Sequence, residues 1–227
     1  MKDDNRNIVS LRGVNKTYRI NEHVSVGVKD INFDARPGEL VLLLGPSGSG
    51  KTTLLTLIAG LLKPSEGSIS LFQKPIESYS VADLQSLRAD RIGFIFQTFL
   101  LIDALTSSQN IELVVKFNQK SKKEARRIAE TLLKELNIEY LADKLPATMS
   151  QGEKQRVAVA RAVANNAELI LADEPTASLD TENGSIIIEL LSSFARDNKC
   201  VIVASHDLRL KKFADRIVFL DNGRIVE

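Results

Sequence analysis

A glycine-rich run ahead of a lysine and a threonine carries the strongest chemical signal in this sequence. It fills the phosphate-binding pattern G-x-x-x-x-G-K-[ST] at every required position, with Gly45, Pro46, Ser47, Gly48, Ser49, Gly50, Lys51 and Thr52. Glycines allow close approach of the backbone to an anion, and the N–H groups of a helix N-terminus attract phosphate. The lysine would bridge the β- and γ-phosphates, and the threonine hydroxyl would hold Mg²⁺.

The residues around this run argue against the alternative of a glycine- and serine-rich turn that binds nothing. The apolar stretch Leu40–Leu44 leads into the run, and a helix-like stretch, Lys51–Leu62, follows it. A buried strand, a turn and a helix are the setting in which this pattern binds phosphate. We therefore predict a nucleoside triphosphate site here and include Thr53 in it.

Two adjacent acids follow a second apolar run. Leu169–Asp173 predicts a buried strand, and Glu174 comes directly after it. Ligands gather at the carboxyl ends of parallel strands. We expect Asp173 to reach the Mg²⁺ through its water shell and Glu174 to polarise a water in line with the γ-phosphate. The alternative is that the two acids only solvate the end of a strand.

A third feature is the start of a helix near residue 150. Ser150 and Glu153 have the spacing of a capping box, which by itself explains them as a helix start. The same exposed N-terminus, with Gly152 in its first turn, also suits a phosphate supplied by another subunit.

The elements that position these residues alternate between strand and helix. Short strands are predicted in the first third, and further strands and helices at Ile92–Phe96, Gln109–Leu136, Asp180–Arg196 and Cys200–Ala204, with a hairpin turn at Asn222–Gly223. Fully apolar strands around the phosphate loop indicate a mostly parallel sheet. The sequence predicts an α/β fold: a phosphate-loop NTPase core, N-terminal antiparallel strands and an inserted helical subdomain. We expect one domain over residues 1–227, with the core at approximately 1–97 and 165–227 and the helical subdomain at approximately 98–164.

Composition excludes several classes of protein. The net charge is +1, from 30 basic and 29 acidic residues. The protein as a whole therefore has no strong positive potential that would attract nucleic acid, and we expect no nucleic-acid partner. The densest basic cluster, residues 120–127, is interleaved with Glu124 and Glu130, which favours a solvated helix face. Cys200 stands alone in an apolar run and is expected to be a reduced, buried thiol.

The sequence also predicts that the chain does not itself enter a membrane. Its polar start, residues 1–7, has no signal-peptide core, and no stretch approaches the roughly 20 apolar residues that span a bilayer.

The motifs together resemble those of ABC-transporter nucleotide-binding subunits, over residues 11–226. The family signature is Leu-Ser-Gly-Gly-Gln, and here Met149–Glu153 stands in its place, followed by the closely similar helix Lys154–Ala162. Gln151 occupies the position of the first glycine, whereas Gly152, the glycine expected nearest the phosphate of the second subunit, is kept. We expect this departure from the signature to affect the rate of ATP hydrolysis more than the binding of ATP.

The resemblance implies roles for further residues. Asp180 ends the family's D-loop, and His206 would contact the γ-phosphate and hold the attacking geometry. Gln97 matches the glutamine that binds Mg²⁺ and water and couples to the membrane partner. Tyr18 occupies the place of an aromatic residue that stacks on adenine, although a lone tyrosine at a strand end is also a common edge residue.

Within the family the sequence is similar to the lipoprotein-release and macrolide-export group of LolD-like, MacB-like, FtsE-like and DevA-like ATPases. The similarity rests on residues 93–97, 100–106, 110–111 and 172–180. It implies an ATPase subunit that forms a homodimer on two Mg-ATP and drives an integral membrane permease subunit in export or mechanotransmission. Its place would be the cytoplasmic face of the inner membrane.

The sequence leaves one other function open and disfavours two more. A regulatory ABC ATPase of cell division shares every motif and stays open. A DNA-repair or chromosome-organising ATPase would need a long coiled-coil insertion, and residues 98–149 show no sustained heptads. A soluble translation-factor type would normally carry two such domains in one chain.

Overall fold

The structure is a computed structural model that describes residues 7–20, 23–117 and 121–226. The polar residues 1–6 and Lys120 of the basic cluster lie outside the described residues. The strands are β1 (Val9–Ile20), β2 (His23–Ala35), β3 (Leu40–Leu44), β4 (Glu66–Leu71), β5 (Lys74–Pro75), β6 (Ile92–Ile95), β7 (Leu169–Asp173), β8 (Cys200–Ala204), β9 (Arg216–Asp221) and β10 (Arg224–Val226). The helices are α1 (Lys51–Ile58), α2 (Val81–Arg91), α3 (Ser107–Phe117), α4 (Lys122–Glu135), α5 (Gln151–Val163) and α6 (Thr181–Arg196).

A mostly parallel sheet forms the centre of the fold, in the order β10-β9-β3-β8-β7-β6. Strands β6, β7, β8, β3 and β9 run parallel, and β10 returns antiparallel to β9 through the predicted hairpin. Every residue of β3, β7 and β8 is buried, because both faces of the sheet are covered. This is why these strands are continuous apolar runs, and it confirms the predicted fold class.

An antiparallel sheet, in the order β2-β1-β4-β5, packs beside the first. The prediction of short strands is right for β4, with 6 residues, but wrong for β1, which has 12 residues, and β2, which has 13. The pairing of β1 with β2 shifts register three times between Leu11 and Thr17. Each bulge interrupts the alternation of apolar and polar residues, so the sequence pattern divides a long strand into short pieces. Leu11 and Phe33 join one hydrophobic cluster with Leu54 of α1.

The single helix predicted over residues 109–136 is wrong as well. Two helices, α3 and α4, occupy the region, and α4 begins at a new cap where the Ser121 hydroxyl accepts a hydrogen bond from the Glu124 N–H at 3.2 Å. On α4 the buried residues are Ala125, Ala129 and Leu133, which share one face of the helix. The described basic residues of the cluster are exposed, as expected of a solvated helix face.

Helices α3, α4 and α5 share a hydrophobic cluster of their own, which includes Ile111, Leu133 and Val157. Helix α5 also contributes Val159 and Val163 to the cluster on one face of the parallel sheet. The helix that begins at the signature therefore connects the helical region to the sheet. None of the helices within the described ranges is long and apolar enough to cross a membrane.

Candidate active site

Sheet order brings three distant segments together. Strands β3, β8 and β7 are neighbours and parallel, so the phosphate loop after β3, Ser205–His206 after β8 and Glu174 after β7 emerge at one edge. This edge, outside the carboxyl ends of parallel strands, is where α/β folds bind ligands.

The phosphate loop runs from β3 into the N-terminus of α1. Gly48 and Gly50 have φ angles of 79° and 102°, in the left-handed region that glycine adopts without strain. Gly50 caps α1, and a Cβ there would lie 2.3 Å from the carbonyl oxygen of Gly27 on β2. A larger residue at position 50 would therefore push the loop away from the N-terminal sheet.

Lys51 lies inside the loop and is only 7% exposed. Its ammonium group donates to the carbonyl oxygens of Gly45, at 2.8 Å, and Pro46, at 3.0 Å. The same nitrogen lies 3.8 Å from Oε1 of Glu174. The loop thus holds a buried positive charge at its centre.

Thr52 and Asp173 meet at the end of β7. The Thr52 hydroxyl donates to Oδ2 of Asp173 at 2.8 Å. Burial raises the pKa of Asp173, the nearby Glu174 carboxylate raises it further, and the hydrogen bond from Thr52 opposes both. The second carboxylate oxygen, Oδ1, is buried and has no hydrogen-bond partner among the residues that the structure describes. An unpaired buried carboxylate oxygen beside a threonine hydroxyl fits a hard cation such as Mg²⁺.

Glu174 takes a strained backbone conformation. Its φ is 47°, unusual for a residue with a side chain, and its N–H donates to the carbonyl oxygen of Ala204 at 2.8 Å. Oε2 of Glu174 lies 2.9 Å from Nδ1 of His206, whose side chain is 71% exposed. The turn thus places a carboxylate between the buried lysine and an exposed imidazole.

These groups open into one cavity of about 630 Å³, lined by Tyr18, Ser25, Val26, Gly27, Gly45, Pro46, Ser47, Gly48, Gly50, Lys51, Thr52, Thr53, Gln97, Glu174 and His206. Tyr18 and Thr53 share a hydrogen bond of 3.2 Å between their hydroxyl groups. Gln97 is exposed at the rim, just after β6. Ser25, Val26 and Gly27 were missed by the sequence analysis, because nothing in a β-strand pattern marks which residues face a distant loop.

The signature residues lie apart from this cavity. Ser150 caps α5 with the full capping box: its hydroxyl accepts from the Glu153 N–H at 3.2 Å, and its N–H donates to the Glu153 carboxylate at 2.7 Å. That second bond is the main reason the pKa of Glu153 is lowered. Among the described residues that line the phosphate cavity, neither Ser150 nor Gly152 is present.

The signature instead contacts the start of α6. A Cβ on Gly152 would lie 2.3 Å from Oδ1 of Asn183, so this position has room only for glycine. Asn183 in turn donates its backbone N–H and its side-chain amide to the carboxylate of Asp180, at 2.9 and 2.7 Å. Within one subunit, then, Ser150, Gly152 and Asp180 form a second group, separate from the phosphate loop.

Comparison with known proteins points to one family. The family model described as ABC transporter matches residues 28–177. The ABC transporter ATP-binding protein MJ0796 of Methanocaldococcus jannaschii is 40% identical over 223 residues, which is 96% of this chain and 95% of that protein. The macrolide export ATP-binding/permease protein MacB of Rhodopseudomonas palustris is 36% identical over 221 residues, 97% of this chain but only 34% of that protein.

Solved structures give the same result. A dimeric, post-hydrolysis state of the MJ0796 cassette bound to ADP and Pi superimposes with a TM-score of 0.90 at 39% identity, covering 96% of this chain and 97% of that one. The cbiO1 protein of Clostridium perfringens, part of the ABC transporter complex cbiONQ, gives a TM-score of 0.85 at 31% identity and covers 97% of this chain and 87% of that one.

Proposed function

This chain belongs to the ABC transporter ATP-binding family, and we propose that it is the ATPase subunit of an export or mechanotransmission complex. The family's activity, ATP hydrolysis, is this chain's activity. One observation carries the proposal most directly: Lys51, Thr52, Glu174 and His206 line one cavity at the carboxyl edge of the parallel sheet, and Asp173 accepts a hydrogen bond from Thr52 there.

The phosphates and the base of ATP are proposed to contact different residues of the cavity. The phosphates would lie in the loop, where Lys51 would exchange its bonds to loop carbonyls for the β- and γ-phosphate oxygens. The base would lie toward Tyr18 and Val26, an aromatic and an aliphatic side chain that line the same cavity. Tyr18 is proposed to stack on adenine.

Three oxygen-bearing side chains are proposed to hold Mg²⁺: Thr52, Asp173 and Gln97. Thr52 and Asp173 are already in contact, and the unpaired Oδ1 of Asp173 offers a further ligand atom. When bound, the ion supplies positive charge that offsets charge developing on the phosphates. The protein's part is to hold the Asp173 carboxylate against the Thr52 hydroxyl, where the ion would bind.

Glu174 is proposed to accept the proton of the attacking water. A carboxylate at the end of β7, within reach of Lys51 and His206, faces the region that the γ-phosphate would occupy. His206 would orient this carboxylate through the 2.9 Å contact to Oε2 and would donate to the γ-phosphate from its exposed side. Both residues follow buried strands, which fix their backbone positions.

The separate position of Ser150, Gly152 and Asp180 supports a site shared between two subunits. The exposed N-terminus of α5 carries partial positive charge that suits a phosphate, yet it does not line the chain's own phosphate cavity. We propose that two copies enclose two Mg-ATP, each phosphate loop facing the other copy's signature. The dimeric MJ0796 cassette bound to ADP and Pi supports this arrangement.

A second cavity, of about 350 Å³, supports a docking site for the membrane subunit. We call it the Phe94 groove: it is lined by Arg88, Ala89, Ile92, Gly93, Phe94, Phe96, Leu100, Val114, Phe117, Arg161, Ala162, Asn165 and Ala167. The rings of Phe94 and Phe96 stack with centroids 4.2 Å apart. Leu100 is 53% exposed and Phe117 is 67% exposed, so two large apolar side chains border the groove.

Charge supports an amphipathic helix of the membrane subunit as the occupant. Arg88 and Arg161 line the groove and donate to backbone carbonyls, and within the described ranges neither has a carboxylate partner. A helix with apolar anchors and an acidic residue would satisfy both parts of the groove. The permease region that the name of MacB records, in a protein of which this chain spans about a third, agrees with such a partner. The subunit would then lie at the cytoplasmic face of the inner membrane.

Two bodies within the one domain would carry these roles. Residues up to about 97 and from about 165 would bind ATP, and residues 98–164 would present the signature and one wall of the groove. The separate hydrophobic cluster of α3, α4 and α5 supports this division.

The proposal is tested by purifying the chain with its co-expressed membrane subunit and measuring phosphate release, dimerisation on ATP and cargo movement in one preparation. ATP-dependent dimerisation together with partner-stimulated hydrolysis is expected. Hydrolysis that neither responds to the membrane subunit nor requires a dimer would contradict it.

A further inference from the structure

Arg209 lies three residues after His206, in the turn that follows β8, and its side chain reaches back across that turn. Its Nε and Nη2 atoms donate to the Asp207 carboxylate, at 3.0 and 2.6 Å. Its remaining terminal nitrogen, Nη1, donates to the carbonyl oxygen of Thr181 at 3.0 Å. Thr181 is the first residue of α6, directly after Asp180. One guanidinium group therefore bonds both to the segment that follows β8 and to the start of α6.

Asp207 completes the connection. Its carboxylate also accepts a hydrogen bond from the hydroxyl of Thr176, at 3.0 Å, and Thr176 is buried in the segment between Glu174 and Asp180. The hydrogen bonds from Arg209 are the leading reason that the pKa of Asp207 is lowered. We refer to Arg209, Asp207, Thr176 and Thr181 together as the Arg209 bridge.

Gly184 leaves room for the Arg209 guanidinium beside α6. A Cβ built on this glycine would lie 2.6 Å from Nη2 of Arg209, and its three nearest heavy atoms all belong to the Arg209 guanidinium. Glycine inside a helix is unfavourable compared with alanine. The guanidinium that occupies this space beside α6 supplies the physical reason for a glycine in the first turns of the helix.

We propose that Arg209 is a positioning residue that joins the His206 loop to the loop ending at Asp180, so that the two loops move as one body. The inference rests on the proposed shared site. There, His206 serves the ATP of its own subunit, and Asp180 lies beside the signature group that serves the other. A rigid connection between them would let the state of one ATP site reach the second. A planar fork suits this task, because it can hold a carboxylate and a carbonyl at once.

Amide hydrogen exchange on the full-length chain without nucleotide tests the connection itself. Arg209→Ala should speed exchange at residues 176–181 and residues 205–208 together, by tenfold or more. Arg196→Ala, which removes the same side chain at the exposed far end of α6, is the matched control and should change neither segment. Acceleration in only one segment, or in neither, would overturn the proposal.

Gly184→Ala provides a second variant that keeps Arg209 and cannot fail through poor helix formation. Its methyl group should displace the guanidinium and reproduce the exchange pattern of Arg209→Ala. In the double variant the exchange should be no faster than in Arg209→Ala alone. The same alanine, added to Arg209→Ala, should raise Tm by ~2–4 °C through helix propensity. Additive acceleration in the double variant would overturn the claim that both act on one bridge.

Kinetics separate positioning from a purely structural role. Arg209→Ala should lower kcat about tenfold and leave KM for ATP within about twofold, because the phosphate-loop contacts are untouched. A drop in Tm with kcat and KM unchanged would assign Arg209 to stability alone and overturn the proposal. Lack of turnover in the unmodified chain would contradict the proposed function, while the exchange result would still decide the bridge.

Discussion

The hydroxyl of Thr52 donates to Oδ2 of Asp173 at 2.8 Å, across 121 positions in sequence. The bond joins the first turn of α1 to the end of β7, two elements that approach only because β3 and β7 both flank β8. Two of the three side chains proposed to hold Mg²⁺ are thus already in contact within the protein's own fold. Because this contact forms when the chain folds, ligand binding does not have to supply the free energy of bringing the two side chains together.

The first prediction concerns the stability cost of Asp173. Burial raises the pKa of Asp173 in the folded state above its value in the unfolded chain, so ionisation of this carboxyl destabilises the folded protein. The loss of stability is present at a pH above the raised pKa and disappears as the pH falls through it. Asp173→Asn should raise the Tm of the nucleotide-free chain at pH 7 by a few degrees, the shift that about 1 kcal/mol produces at this size. The gain should shrink toward pH 4. Thermal unfolding across pH measures it, and an equal gain at both pH values would contradict this explanation.

The second prediction concerns nucleotide binding. Lys51→Ala removes the buried cation of the phosphate loop and should weaken ATP binding by tenfold or more, since a charge-assisted contact to phosphate is worth about 1.5–3 kcal/mol. Titration with a fluorescent ATP analogue measures the loss. Lys134→Ala, on the exposed side of α4, is the control and should bind normally. Equal affinity for all three proteins would place the phosphates elsewhere.

The third prediction concerns the shared site. In Glu174→Gln protein, ATP should convert monomer to dimer, and adding Ser150→Arg should block this by placing bulk where the partner's phosphate is expected. Ser121→Arg makes a matched control, because Ser121 caps α4 with the same 3.2 Å bond that Ser150 makes on α5. Light scattering with and without ATP distinguishes them. Dimers in both arginine variants would remove Ser150 from the interface.

The fourth prediction concerns the Phe94 groove. Leu100→Asp should reduce co-purification with the membrane subunit severalfold and leave ATP binding intact, because the side chain is 53% exposed at the groove wall. Leu61→Asp, at a position that is 50% exposed elsewhere, should retain the partner. The neighbouring Leu101 is unsuitable, since it packs against the cluster of the helical region. Partner retention in Leu100→Asp would place the docking surface outside the groove.

The structure was predicted best where a continuous apolar run and a recognisable motif occur together in the sequence. Strands β3, β7 and β8 are apolar throughout because the sheet buries them on both faces, and each ends in a motif with its own residue types. Helix α2, by contrast, was missed: its one buried residue is Leu87, so it lacks the apolar stripe that marks a helix. The break before α4 was missed because Ser121 caps that helix with a single hydroxyl inside a run of helix-favouring residues.

Contacts between distant residues could not be predicted from spacing. The 2.9 Å approach of Glu174 to His206 depends on the order of strands in the sheet, which the separation of the two residues along the chain does not reveal. Arg209 carries no motif, and its role emerges only from its bonds to Asp207 and Thr181. Tyr18 could be named only by resemblance, and its hydroxyl bond to Thr53 is a contact that no pattern indicates.

The proposed role of Glu174 is tested most directly by measuring phosphate release from the Glu174→Gln variant and from the unmodified chain. Both single-turnover and steady-state rates are measured, and ATP affinity is determined on the same samples. The amide keeps the size of the side chain and removes the oxygen that would accept the proton of the attacking water. ATP affinity should be retained within a few fold, while hydrolysis slows by ~10² or more. Unchanged phosphate release by Glu174→Gln would contradict the assignment of Glu174 as the group that activates water.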